Sequence, residues 1–206
     1  MCFSAPASFV TSGGLAALGG ASLVIAKKED KIIALIPLLF SIQQFFEGVQ
    51  WLHLYAGSTS LLAGYGFLFF AFIVWPVYVP TFVYMLDEKR RKVLRWFIFL
   101  GMLIALYFVW IFASQSLSIS RLHACISYGF NVPFNLPATM LYVTTILGPL
   151  FISSKKIFNM FGVIASIAAI IAWLFFTFAF TSVWCFFAAI VSSLFFFYIL
   201  QENKRT

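Results

Sequence analysis

Glu47 is the one charged residue inside a long apolar run, and the side chains around it are of the kinds that could share a proton or a hydrogen bond with a carboxyl. Gln43 stands at i−4, Gln50 at i+3 and Trp51 at i+4, with Gln44 and His53 alongside. Residues three and four apart lie on one face of a helix, so a helical run gathers these into one polar, aromatic stripe. A carboxylate inside a membrane is costly unless paired, hydrated or protonated, which makes it a functional-site candidate by default. Burial disfavours its ionised form, so the chemistry open to it is a counter-charge for a cation, a proton carrier or a general acid/base. The plainer role is an interhelical anchor, hydrogen-bonded to serines or paired with Arg121. Arg121 is placed to reach Glu47, to hold an anionic ligand, or simply to sit solvated in its loop.

The elements that must position these residues follow from composition. The chain has 206 residues, 63% hydrophobic, 20% aromatic and 9% charged, with a mean hydropathy of +1.03. Soluble domains carry about 25% charged residues, so a soluble fold is excluded and the lipid bilayer is the main partner. Transmembrane β-barrels show alternating segments of about ten residues, and this sequence instead runs almost continuously apolar between short polar breaks. The expectation is an all-α integral membrane bundle of seven transmembrane helices in one domain, with spans near 8–26, 32–55, 61–85, 96–114, 136–152, 157–176 and 183–200. The fifth is short, with Pro133 and Pro137 before it and Pro149 inside it, which suits a tilted, kinked or partly re-entrant segment.

Twelve of the thirteen Lys and Arg residues fall in alternate breaks, and Arg121 alone falls in the others. Positively charged loops are retained in the cytoplasm, so the N-terminus is expected outside and the C-terminus inside. The cations line one membrane face and lack any nucleic-acid-binding signature, so anionic headgroups on the cytoplasmic face are the expected partners and nucleic acid is not. Met1 to Ser8 has no basic region before the first apolar run, so no cleaved signal peptide is expected. Gly13, Ala16, Ala17 and Gly20 in the first span, and Gly162, Ala165, Ser166 and Ala169 in the sixth, read as helix-packing stripes. Trp75-Pro76 and Pro80 kink the third span, which reads as a device that shapes the bundle, the alternative being freed carbonyls that line a cavity.

In this topology His53, His123, Cys2, Cys125 and Cys185 all share the outer side. One disulfide among Cys2, Cys125 and Cys185 is one reading. A zinc or copper site from Cys2, His53, His123 and Cys185 is another, and inert thiols a third. The spacing matches no compact metal motif, and no phosphate loop or nucleophile elbow is present.

Several elements together resemble a family. They are Met1-Cys2-Phe3-Ser4-Ala5 with Ser8, Pro37-Leu38-Leu39-Phe40, Gln43-Gln44, Glu47-Gly48, Trp51, Trp75-Pro76 with Pro80, and Ser182-Val183-Trp184-Cys185-Phe186-Phe187-Ala188-Ala189. The chain resembles small bacterial multi-pass membrane proteins beginning Met-Cys-Phe-Ser-Ala, a family without an established activity. The resemblance covers most of the chain and implies a place in the bacterial inner membrane. It also implies that Cys2, Ser4, Gln44, Glu47, Trp51, Trp184 and Cys185 converge on an outward-facing site, where Cys2 and Cys185 could meet as a disulfide or as metal ligands.

Three functions are open. The first is an outward-facing polar pocket of Gln43, Gln44, Glu47, Gln50, Trp51 and Arg121 that binds or moves a small polar or cationic solute. The second is a membrane metalloenzyme or redox protein using the outer Cys and His residues, with Glu47 as acid/base. The third is a sensor or accessory subunit docked through the basic loop Lys89 to Arg95. Seven spans cannot divide into two equal inverted repeats, which counts against transport. A pore would need a homo-oligomer to supply repeated polar rings.

Overall fold

The structure, a computed structural model, describes residues 4–204. It is mostly helical. In order come α1 (Ala5–Ile25), α2 (Lys31–Tyr55), α3 (Leu61–Phe69), α4 (Trp75–Leu86) and α5 (Arg91–Ser114). Strands β1 (Ser118–Leu122) and β2 (Cys125–Gly129) follow, then α6 (Asn135–Ile152), α7 (Lys156–Phe176), α8 (Phe180–Ser192) and α9 (Leu194–Lys204). Six helical stretches are long and apolar enough to cross a membrane: Ala5–Ile25, Lys28–Tyr55, Leu61–Leu86, Glu88–Ser114, Asn135–Ile152 and Lys156–Glu202. The last is 47 residues long and is broken by a 3-10 turn at Thr177–Ala179. Phe161 on α7 stacks on Phe195 on α9, ring centroids 3.9 Å apart, so the chain folds back on itself at that turn.

The break expected between the fourth and fifth spans is not plain loop. It holds an antiparallel hairpin whose register runs from Ser118 opposite Gly129 to Leu122 opposite Cys125. A lone two-stranded hairpin is marginal in water, and this one is held by burying Cys125 and Ile126 completely against the helices. His123, at its tip, adopts φ 56°. The hairpin lies at the same end of the bundle as the α7–α8 turn, since the His123 ring sits 5.7 Å from that of Phe178. Arg121 reaches the end of α2 there as well, 5.7 Å from the Tyr55 ring. We call this the hairpin end, and the opposite one, bearing the Lys and Arg clusters, the basic end.

Ser12 and Ser41 fasten α1 to α2, each hydroxyl donating to the other residue's carbonyl at 2.8 Å. The buried face of α1 carries Ser8, Ser12, Leu15, Gly19 and Ser22. This corrects the expected small-residue stripe: Gly13, Ala16 and Ala17 face outward, and a Cβ on Gly13 or Gly20 would meet nothing within 4 Å. Both faces of α1 are rich in small residues, and in lipid the hydrogen-bonding serines choose between them. The sixth-span stripe does pack, with Gly162 against Leu150 and Phe151.

Between α3 and α4 the ladder widens into a π turn at Phe70–Val74, where the Trp75 N–H bonds the Phe70 carbonyl five residues back. In that register the Ala71 carbonyl would wait for Pro76, which has no N–H. The Tyr142 hydroxyl donates to it instead, at 2.7 Å. Pro80 likewise frees the Pro76 carbonyl, against which Gly101 of α5 packs so closely that a Cβ there would lie 2.0 Å from the oxygen. The freed carbonyls are therefore taken up in helix packing, which agrees with the bundle-shaping reading of the prolines and not with the cavity-lining alternative.

At the basic end Asp87, 2% exposed, clamps the α4–α5 connection to the α6–α7 connection. It accepts from the Ser153 hydroxyl at 2.7 Å, the Ser154 N–H at 2.5 Å and the Ser154 hydroxyl at 2.8 Å. The Asn159 amide caps the end of α6, donating to the carbonyls of Leu150 at 2.7 Å and Ser153 at 3.0 Å. The fifth span is thereby one continuous helix of 18 residues, about 27 Å long.

Two further boundaries differ from expectation. α5 begins at Arg91 because its first turn is polar and extends beyond the apolar segment. The final span starts at Phe180 and is interrupted at Ser193.

Candidate functional site

The α2 stripe points entirely inward. Gln43, Gln44, Glu47 and Gln50 are 0% exposed and Trp51 is 1% exposed. Helical spacing puts the five on adjoining strips of one face, and α1, α3, α4, α8 and the hairpin close over it. The Glu47 carboxylate accepts a short hydrogen bond from the Ser182 hydroxyl of α8 and another from the Gln44 amide at 3.3 Å. The Gln43 oxygen accepts from the Trp75 indole at 2.8 Å, and the Gln50 oxygen accepts from the backbone N–H of Ser60 at 3.3 Å. Ser60 in turn caps α3, its hydroxyl accepting from the Ala63 N–H. The π turn that places Trp75 thus also places the partner of Gln43.

Tyr128 of β2 borders the cluster. Burial pushes its phenol well above the ordinary value, and the neighbouring Glu47 and Cys185 add to the shift. Six buried polar atoms lack a hydrogen-bond partner among the described residues: Ser8 Oγ, Gln43 Nε2, Gln44 Oε1, Gln50 Nε2, Trp51 Nε1 and Tyr128 OH. Four of them belong to the stripe itself. Ser8 lies on the buried face of α1 between that helix's two ties to α2, the Ser12–Ser41 pair and the Ala5 N–H on the Tyr55 hydroxyl at 3.4 Å. Unpartnered buried polar atoms cost about 1–3 kcal/mol each.

Arg121 does not pair with Glu47. Its guanidinium lies 5.8 Å over the Trp51 ring and 5.7 Å over the Tyr55 ring, and its Nε donates to the His123 carbonyl at 3.2 Å. It covers the hairpin end of the stripe as an exposed cation on two aromatic faces. His53, half-buried, has Nδ1 3.2 Å from the Ser58 hydroxyl. His53, His123 and Cys185 are not brought together, and no three His, Cys, Asp or Glu side chains converge on a metal-sized space among the described residues. Cys185 is a buried free thiol, so it is not joined to Cys2, whereas Cys125 is disulfide-bonded. Cys2, named for both the metal and disulfide readings, lies outside the described residues. Thiol labelling without reductant is expected to leave Cys125 unlabelled and to reach Cys185 only after unfolding. Labelling of Cys125 in the folded, unreduced protein would overturn its bonded state.

Sequence reasoning located the α2 residues and a serine as the interhelical partner of Glu47, which is Ser182, without identifying which serine or the other partners. Ser182 and Ser8 stood in the motifs quoted above without a role, and Tyr128 gave no signal, because nothing along the chain tells which loop tyrosine folds down onto the helices.

A family model described as a family of unknown function (DUF6629) matches residues 1–206, and the chain belongs to that family. No curated protein and no solved structure matches it.

Proposed function

We propose, with membership of this family as the premise, that the chain is a seven-crossing membrane protein which binds or moves a small polar or cationic solute at an occluded site built around Glu47. The observation that carries this is the completely buried carboxyl surrounded by buried polar atoms that have no partner. Glu47 would balance a cation or hold a proton, and the free amide, indole and hydroxyl groups would bond the solute's polar atoms. Arg121, lying on Trp51 and Tyr55, is the movable cover at the hairpin end.

Length supports the seventh crossing. At 1.5 Å per residue an unbroken helix of 47 residues would be about 70 Å long, against about 30 Å of hydrocarbon. The fold-back marked by Phe161 and Phe195 supports reading that stretch as two crossings. The orientation rests on two independent features. Lys and Arg gather at the basic end, which assigns it to the cytoplasm, and the disulfide-bonded Cys125 lies at the hairpin end, which suits an oxidising exterior.

The test is a thermal-shift screen of small amines, amides and amino acids on purified protein and on Glu47→Gln, a variant close in shape. A solute at a hundred times its dissociation constant adds about 2.7 kcal/mol. At least one solute is expected to raise the melting temperature of the natural protein by several degrees and to leave Glu47→Gln unmoved. No shift in any case, or equal shifts in both proteins, would sink the reading.

A further inference from the structure

Below the hairpin, distinct from the closed Glu47 cluster, lies a cavity of about 400 Å³ between β2, α6, α7 and α8 and the flank of α5. Seven of its twelve lining residues are aromatic, in a chain that is 20% aromatic. Six of the rings are Phe72, Phe108, Tyr128, Phe130, Trp173 and Phe180, and Tyr142 makes the seventh. Several stand at right angles. Phe130 meets Phe72 at 88° with centroids 5.7 Å apart and meets Phe108 at 88°, while Phe72 and Phe108 stack at 4.2 Å. Rings in two orientations therefore border one space. No charged side chain lines it, and its polar groups are neutral: Asn135, Thr139, Thr177, Thr181 and the Tyr128 hydroxyl, which is buried and unpartnered.

We propose that this chamber binds a trimethylammonium cation carrying a short hydroxylated tail, for which choline is the simplest probe. Aromatic faces attract a cation through their quadrupole when it sits within about 6 Å of the ring centre. A quaternary nitrogen has no N–H to satisfy and needs no charged acceptor, so a ring-lined space whose polar groups are all neutral suits it, whereas a metal ion would be left short of charged ligands. The unpartnered Tyr128 hydroxyl supplies the bond for the tail. The cavity shares Tyr128 with the border of the Glu47 cluster, but none of the α2 stripe lines it. The same head group reaches the protein either as a free solute or on a phosphatidylcholine lipid.

Isothermal titration of the full chain in maltoside detergent tests this. Choline is expected to bind saturably, and its uncharged isostere 3,3-dimethylbutan-1-ol at least about tenfold more weakly. Trp173→Leu and Phe130→Leu should each lose about tenfold, with Glu47→Gln within about threefold of the natural protein. Trp173 is 62% exposed, so its variant is expected to fold even where Phe130→Leu does not. Choline binding that persists in phosphatidylglycerol nanodiscs and is competed away in phosphatidylcholine nanodiscs assigns the lipid head group as occupant, and persistence in both assigns the free solute. No saturable heat from protein with an intact melting transition overturns the proposal. So does equal affinity for the isostere, or loss in Glu47→Gln without loss in the ring variants.

Discussion

Gly101→Ala is expected to lower the melting temperature by about 10 °C, the largest effect of any single methyl group in this chain. The added Cβ would lie 2.0 Å from the Pro76 carbonyl oxygen, and the neighbour is backbone, which has no alternative rotamer to adopt. Overpacking of this kind costs about 3 kcal/mol, and in a domain of this size 1 kcal/mol moves the midpoint by about 2–4 °C. Proline makes the contact obligatory, because Pro80 denies the Pro76 oxygen its helical donor. Gly20→Ala is the control: nothing lies within 4 Å of its Cβ, and alanine favours the helix by about 1 kcal/mol. Equal melting temperatures for the two variants would overturn the close α4–α5 approach.

Asp87→Ala is expected to cost about 3 kcal/mol, since it strips a charged acceptor from the buried Ser153 hydroxyl and from the part-buried hydroxyl and backbone N–H of Ser154. Asp87→Asn, which keeps one acceptor, should cost about half as much. Burial works to raise the Asp87 pKa, but the hydrogen bonds from Ser153 and Ser154, helped by the Arg90 backbone, outweigh it and hold the carboxyl below its usual value of 3.8. A carboxyl depressed in the folded state adds stability above the unfolded value, and that stability is lost as pH falls through the folded one. The melting temperature of the natural protein should therefore fall steeply below about pH 4, and that component should be missing from Asp87→Asn. Parallel acid profiles for the two proteins would show that this clamp is not the group being titrated.

Neither of these two contacts was legible in the sequence, although the helices carrying them were. Apolar run length and the spacing of Lys and Arg clusters gave four of the six spanning stretches to within about four residues, started the fourth too late and divided the last into two, because hydrocarbon thickness acts on each segment separately. The inward stripe from Gln43 to Trp51 was legible for the same local reason: helical spacing aligns it whatever packs against it. Asp87 was hidden because it reads as one more charge in a polar break. Its partners Ser153 and Ser154 lie 66 and 67 residues away, and only tertiary structure closes that distance. The serine-bearing face of α1 was missed because two faces of that helix are equally small.

The π turn in the third stretch carries a consequence for the numbering of the helix itself. At about 100° per residue, the eight steps from Phe67 to Trp75 would set their side chains about 80° apart in a regular α-helix, whereas seven steps would leave only about 20°. Both side chains are in fact buried, so the turn behaves as one residue taken out of phase, an insertion absorbed where it occurs. Loss of one residue from Phe70–Val74 would let the ladder close there to its regular four-residue step.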